Sequence, residues 1–466
     1  MVCDFFYPNV GGVETHIYSL AQCLIRRGHR VIVISHGYGP DDQPRQGIRH
    51  MTSGLKVYYL PLVPFYKQTI FFTLFGTLSL IRDILIREQV DLVHGHSSFS
   101  LLSYEAVLHA QALGIRTVVT DHSLFGFADL SAVLWNKALK GLHSAVDAVI
   151  CVSHTCKENS VLRLNMDPSR FYVIPNAIDP NSFTPDPSKR NAQYVTVILV
   201  SRLVYRKGID LLVAIIPPLC ALYPNLRFII GGDGPKRLDL EEVRERYRLH
   251  SRIELLGKLD PQQVRDVLVQ GDIFLNTSLT EAFCIALLEA VSCGLLVVST
   301  AVGGVPEVLP SEFIRMAPAS PSELAKCLSG AIQEVLKQQR SSRSPGCGNI
   351  PRVAEAAGPY IKAESIEEKS WRMHQWVRHA YSWTDVASRT EAVYFEAVSN
   401  ESLTFDRLLK RYAMRGGMSG RVLVVLALIY RVVFCLISWF RPEKFIDKVP
   451  YLNYRRFDLN PLETFG

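Results

Sequence analysis

Short runs of β-branched and aliphatic residues alternate with stretches of helical periodicity along most of the chain. Over the first 180 positions, residues 2–6 read as a strand stub and 13–27 as a helix stopped at Gly28. Strands follow at 31–35, 56–60, 90–94, 117–120 and 148–153, with helical spacing at 78–88, 103–113 and 130–142 between them. Strand, helix and strand in succession predict a parallel sheet covered on both faces. A Pro-rich stretch at 175–191 reads as a linker. A second alternating series then predicts strands at 195–201, 227–231, 253–256, 273–276 and 296–299. Helices are expected between them at 209–223, 239–247, 261–270 and 283–293. The expected fold class is therefore α/β, with two Rossmann-like doubly wound domains at 1–180 and 192–337 facing a ligand cleft. Residues 338–370 read as a loose insertion, 371–400 as a closing helical segment centred on 382–398, and 401–466 as a basic tail.

The tail carries the chain's other hydrophobic signal. Residues 422–440 read VLVVLALIYRVVFCLISWF, nineteen positions between Arg421 and Arg441. As a helix that run is about 28 Å long, close to the roughly 30 Å hydrocarbon core of a bilayer. Arg431 sits in its middle. A central arginine costs about 2.5–3.5 kcal/mol on insertion scales, and the thirteen Leu, Ile, Val and Phe residues return about 4–8 kcal/mol in sum. A C-terminal membrane-anchoring helix is the expectation, with a buried or interfacial helix as the alternative.

Charge sharpens this picture. The net charge is +7, and the segment from 401 onward holds eleven Lys/Arg against six acids, so +5 of that excess flanks the apolar run. That concentration points to a membrane surface rather than to nucleic acid, which would call for a basic face on a folded domain. The ten cysteines include no CxxC pair, which excludes zinc ribbons and disulfide scaffolds and suits a reducing compartment. No signal peptide is expected, because the start Met-Val-Cys-Asp-Phe-Phe has no charged n-region before an apolar stretch.

Candidate chemistry falls at strand ends. Gly11 and Gly12 follow the first strand and open the first helix, where backbone N–H groups can approach an anion. The spacing is not GxGxxG, so a dinucleotide is not expected. Arg202 and Lys207 lie in the loop after the second domain's first strand, a fork and a point charge suited to a diphosphate. Gly232 and Asp233, within GGDGP, form a close-approach loop after the next strand, and Gly303-Gly304 a third. Glu281 and Glu289 are eight residues apart; on one helix they would stand about 12 Å and 80° apart, able to serve two sugar rings. A capping box Ser278-Leu-Thr-Glu281 and an exposed helix face are the plainer alternatives. The chain contains no Asp-x-Asp, so no metal bridging phosphates is expected, and no cofactor is implied.

The strings GGVE, SRLVYRKG, GGDGP, Glu-x7-Glu and GGVPE, in this order, resemble the GT-B glycosyltransferases of family 4. The longer strings DFFYPNVGGVETHIY, TSGLKVYYLPL, HGHSSFS, TDHSLFGFADLS, VSRLVYRKGIDLL and NTSLTEAFCIALLEA are similar to the catalytic subunits of phosphatidylinositol N-acetylglucosaminyltransferases. The resemblance covers about residues 1–320 and resumes at 381–394. It implies a retaining transferase that moves N-acetylglucosamine from UDP-GlcNAc to phosphatidylinositol, the first step of GPI-anchor biosynthesis. In that reading Arg202 and Lys207 neutralise the diphosphate, and Glu289 holds the ribose. Glu281 with the backbone through Phe283 contacts the sugar, Gly232 and Asp233 line the donor site, and Gly11 and Gly12 close over the phosphates. His122, in Thr120-Asp121-His122, matches the family histidine near the transferred sugar. Implied partners are a membrane and further subunits of a GPI N-acetylglucosaminyltransferase complex, with the catalytic domains on the cytosolic face of the endoplasmic reticulum. Rival readings are another lipid glycosyltransferase of the family, or an inactive nucleotide-sugar-binding subunit. The chain departs from the family pattern in the 338–370 segment and at Ala282-Phe283-Cys284, where Gly-Phe-Gly is common.

Overall fold

The computed structural model describes residues 1–39, 45–66, 68–73, 75–124, 130–343, 364–399, 404–414 and 417–450. The chain forms two compact units, one made of Met1–Asn176 with Trp383–Gly466 and the other of Ala177–Ser382.

In the first unit the N-terminal stub is reduced to a single position. Val2 bridges Ile34 on one side and Gly95 on the other, both in parallel. Its N–H donates to the His94 carbonyl at 2.9 Å and its carbonyl accepts from the His96 N–H at 3.0 Å. Val2 therefore joins the strand Ile32–His36 to the strand Leu92–His96. From there Lys56–Leu60 extends the sheet on one side, and Arg116–Asp121, Ala148–Cys151 and Phe171–Val173 on the other, all parallel. Gly47–His50 adds an antiparallel edge. Strands of this kind are covered on both faces, as the burial of all five residues of Ile32–His36 shows. Chain order reverses at Val2, so the carboxyl ends around it lie at a topological switch point, where open sheets bind ligands.

The second unit repeats the plan. Six parallel strands lie in the order Ile253–Gly257, Leu226–Gly231, Val195–Val200, Ile273–Asn276, Leu296–Thr300, Ile314–Ala317. The last is an edge strand that the sequence pattern did not single out. Its switch point falls between Val195–Val200 and Ile273–Asn276.

Two expectations change. The first is the loose insertion at 338–370. A helix spans Pro321–Arg343, and another begins at Ile366 behind a capping box made by Ser365 and Glu368, so both flanks are helical; residues 344–363 lie outside the described residues. Next, the closing segment at 371–400 divides, with Ile366–Ala380 in the second unit and Trp383–Ser399 in the first. Buried Met373 and Val377 hold the former against its unit, and His374 Nδ1 lies 2.9 Å from Ser292 Oγ. Apolar residues at 63–81 of the first unit divide between core and surface. Ile70, Leu78 and Ile81 are buried, whereas Val63, Phe65, Phe71 and Leu80 are exposed.

The apolar tail forms the helix Gly417–Phe440, long and apolar enough over 21 residues to cross a membrane. One side packs on the first unit: Ala427 shares a cluster with Ala145, Leu408 and Tyr412, and Arg441 pairs with Asp83 at 2.9 Å. The Tyr430 hydroxyl bonds His109, and the Arg82 guanidinium lies 5.8 Å from the centre of the Phe434 ring. The other side leaves Val425, Ile429, Val432, Leu436, Trp439 and Phe440 exposed.

Candidate active site

The loop after Val195–Val200 and the loop after Ile273–Asn276 meet at the second unit's switch point. The Thr277 hydroxyl donates to the Lys207 carbonyl at 2.7 Å, and the Leu279 N–H to the Arg206 carbonyl at 2.9 Å. Gly208 makes this approach possible. Its φ is +65°, and a Cβ there would run into the Thr277 carbonyl oxygen. Gly232, at φ +128°, packs in the same way against the Ser201 carbonyl. The Asp233 carbonyl accepts from the Leu203 N–H at 2.8 Å, which fixes the backbone beside Arg202, while the Asp233 side chain is exposed and caps its own loop through the Gly234 N–H at 2.8 Å.

Lys207 and Glu281 form an ion pair across these loops, with both side chains largely buried. Ser278 Oγ lies 2.8 Å from Glu281 Oε1 and also 2.8 Å from Asn276 Oδ1, and the Glu281 carbonyl accepts from the Gly304 N–H at 3.0 Å. Glu281 is thus tied to three strand-end loops. Arg202 is exposed and makes no ion pair among the described residues, which leaves its guanidinium available to an anion.

The expected helix carrying both glutamates is shorter than its spacing suggested. It runs Ile285–Ser292, and Cys284 before it has φ +71°. Glu281 therefore lies in the loop and Glu289 on the helix, so the single-helix separation does not apply. Nor does Ser278 cap a helix through Glu281; the two share a side-chain contact only. A left-handed residue is cheap for glycine and strained for cysteine, so this is a backbone bend at the position where the family commonly has glycine. Phe283 is buried with its ring edge-on to Tyr381, centroids 5.7 Å apart, so its side chain is core. Glu289 is half-buried, and loss of solvent pushes its carboxyl up to about 7.

In the first unit, Gly11 is the N-cap of the helix Gly12–Arg26, and the Glu14 carboxylate lies against it. An acid in the first turn suits the positive end of the helix dipole. His122 follows the strand Arg116–Asp121 and sits among other rings that sequence reasoning passed over. The His16 ring centre is 4.7 Å from it and the His96 ring centre 5.7 Å, and His96 Nδ1 is 3.4 Å from His122 Nε2. Beneath His122, Asp121 pairs with Arg163, accepts from Ser160 Oγ at 2.9 Å and from the Ser123 N–H at 3.1 Å. A further buried acid, Asp4, accepts from the Ser100 hydroxyl at 2.7 Å and from the N–H groups of Ile70 and Leu102 at 2.9 and 3.0 Å. The one signal that could have marked His16 and His96 is their position: His16 lies on the helix after the stub, and His96 ends a strand beside the switch point.

One loop bearing two cations, glycine-opened backbone and an ion-paired carboxylate at a switch point suit a sugar nucleotide, and comparison with known proteins agrees. Residues 40–129 match the family model described as PIGA (GPI anchor biosynthesis), and residues 182–346 match glycosyl transferases group 1. Among solved structures, sucrose-phosphate synthase from Thermosynechococcus elongatus aligns with a TM-score of 0.62 at 20% identity, over 83% of this chain and 94% of that one. HepE of Anabaena in complex with UDP and glucose aligns with a TM-score of 0.61 at 16% identity, over 84% and 97%. At these identities the likeness shows the fold alone, and that fold is GT-B. Sequence relatives reach further. The chain is 50% identical over 448 residues to a human subunit of phosphatidylinositol N-acetylglucosaminyltransferase, covering 96% of this chain and 86% of that protein. It is 46% identical to the Arabidopsis thaliana protein of the same name over 97% of this chain and 93% of that protein. With the Schizosaccharomyces pombe gpi3 subunit of the same enzyme it shares 46% identity over 96% and 91%. The chain is a glycosyltransferase and belongs to the PIGA family of phosphatidylinositol N-acetylglucosaminyltransferase subunits.

Proposed function

We propose that this chain transfers N-acetylglucosamine from UDP-GlcNAc to phosphatidylinositol with retention of configuration, as the catalytic subunit of a larger GPI N-acetylglucosaminyltransferase assembly. The observation that carries the reading is the Lys207–Glu281 pair at the second unit's switch point, with Lys207 in the same loop as Arg202, which is exposed and makes no ion pair among the described residues. Cleaving a sugar–phosphate bond leaves negative charge on departing UDP, and Arg202, Lys207 and the loop N–H groups supply fixed positive charge for it. Glu281, held by Ser278 and Lys207, is placed for a sugar hydroxyl once Lys207 turns to phosphate. Glu289 accepts from ribose hydroxyls. His122 stands at the transferred sugar, and Gly11 and Gly12 provide N–H groups toward the phosphates. A donor phosphate oxygen takes the acceptor hydroxyl's proton, in a front-face displacement. The exposed side of Gly417–Phe440, together with Phe65 and Phe71, supplies the membrane contact that a lipid acceptor requires. The endoplasmic reticulum, with the two units on its cytosolic face, suits a UDP-sugar donor.

The test is transfer of labelled GlcNAc to phosphatidylinositol in membranes of cells that lack their own enzyme. The full chain restores the product, and EDTA leaves the rate unchanged because fixed cations meet the leaving group. No product from UDP-GlcNAc, with product from GDP-mannose instead, would point to another lipid transferase.

Glu289 gives the proposed site a pH signature. Its carboxyl is raised to about 7, so the acceptor form for ribose hydroxyls grows as pH rises through that value. Donor KM should therefore fall about tenfold between pH 6 and 8. In Glu289→Gln that slope is expected to vanish, with KM fixed at a high value; a KM profile with the same slope in the variant would remove Glu289 from the donor site.

A further inference from the structure

The three histidines at the first unit's switch point offer more than one imidazole near a sugar. One nitrogen from each of His16, His96 and His122 lies within 4.8 Å of the others. His16 Nδ1 is 2.9 Å from Asn176 Oδ1, and an amide oxygen there accepts the Nδ1 proton, which leaves Nε2 as a bare lone pair. The separation of His96 Nδ1 and His122 Nε2, 3.4 Å, is long for a hydrogen bond. It equals the edge of a tetrahedron of nitrogens about 2.1 Å from a central ion, roughly 3.4 Å. Neighbouring His94 shows what a satisfied buried histidine looks like here: Nδ1 is 2.6 Å from Tyr394 Oη and Nε2 2.7 Å from Thr120 Oγ1. His96 differs: Nδ1 faces His122, and the other ring nitrogen, Nε2, is buried with no hydrogen-bond partner among the described residues.

We propose that His16, His96 and His122 form a binding site for a divalent transition metal of the zinc type, with a fourth position open on the His122 side. Three imidazole ligands with one open position favour Zn²⁺, Co²⁺ or Cu²⁺ over Mg²⁺ or Ca²⁺, which prefer oxygen. The carboxylate beside the cluster, Asp121, is already committed to Arg163, so the ligand set is neutral. Burial holds all three rings below the usual histidine range, His122 at about 4, so their lone pairs are free of protons at neutral pH. Of the three, only His122 is partly exposed, which places the open position on its side. Closing the set around an ion needs ring movements of about an ångström, since the longest separation exceeds the tetrahedral edge. Because a metal on His122 Nε2 takes that atom from the sugar, binding should inhibit transfer; this consequence alone rests on the catalytic placement of His122.

The experiment uses the full chain, untagged, in detergent, titrated with Co²⁺. The expected result is the visible absorption of tetrahedral cobalt, saturating at one equivalent per chain and discharged by Zn²⁺. His16→Gln and His96→Asn, confirmed as folded by thermal melting, should each lose it. Absence of the band in the wild-type chain overturns the proposal without any variant, and a band that persists unchanged in both variants does the same. In the membrane transfer assay added Zn²⁺ should lower the rate and EDTA should restore it. Cobalt binding without zinc inhibition would keep the metal site and remove His122 from the catalytic set.

Discussion

Arg202→Met lowers the rate of GlcNAc transfer by about 100- to 1,000-fold, the range found when a fixed donor to a developing anion is removed. Its melting temperature stays within a degree or so of the parent. The side chain is exposed and makes no ion pair among the described residues, so truncation removes a cation without stranding a partner there. Lys207→Met behaves differently. It takes away a phosphate ligand of similar worth, but it also strips Glu281 of its ion-pair partner in a largely buried loop contact. Activity and stability should fall together, and Lys207→Arg should recover stability more fully than rate, because a planar fork does not reproduce a point charge. Transfer kinetics and thermal melts on the same membrane preparations separate the two. If Arg202→Met retained most of its rate, the leaving group would not depart at this loop.

Arg163→Leu should be the most damaging single change in the first unit, at about 3–5 kcal/mol. Arg163, on the helix His154–Leu164, and Asp121, at the end of the strand Arg116–Asp121, are both almost wholly excluded from solvent, at 0% and 1% side-chain exposure. Their attraction roughly offsets the cost of burying them, so the pair adds little net stability; removing Arg163 leaves a buried carboxylate with neutral donors only, the Ser160 hydroxyl and the Ser123 N–H. Adding Asp121→Asn to Arg163→Leu should return most of the loss, which a double-mutant cycle of denaturation midpoints would measure. Because Asp121 also holds the Ser123 N–H at 3.1 Å, the single variant should displace His122 between them and depress transfer beyond what unfolding accounts for. An Arg163→Leu chain with parental stability would show that this pair does not anchor the His122 loop.

Much of the architecture was legible in the pattern of apolar residues. The helix and strand order of both units follows from short continuous apolar runs and period-3.6 spacing, because strands buried on two faces and helices buried on one leave those signatures in a parallel sheet. Strand-end loops carrying Arg202, Lys207, Gly232 and Glu281 were legible for the same reason: once the strands are placed, their carboxyl ends are placed too. What failed were features that depend on a local backbone choice. The helix expected at 283–293 loses its first two positions to the left-handed Cys284, a conformation that periodicity cannot register in a residue other than glycine. Ile314–Ala317 was passed over because a four-residue edge strand, buried only at its two ends, carries almost no alternation.

Residue order alone settled which side chains could stand at the ends of strands, since hydrophobic spacing dictates where each strand stops. Bringing His16, His96 and His122 within reach of one another, or Arg163 beneath Asp121, required the chain to return on itself, with Val2 wedged between the strands Ile32–His36 and Leu92–His96, which are distant in sequence. Contacts made across a sheet by residues far apart in the chain leave no spacing to read; they exist because burying both faces of a parallel sheet forces those strand ends together.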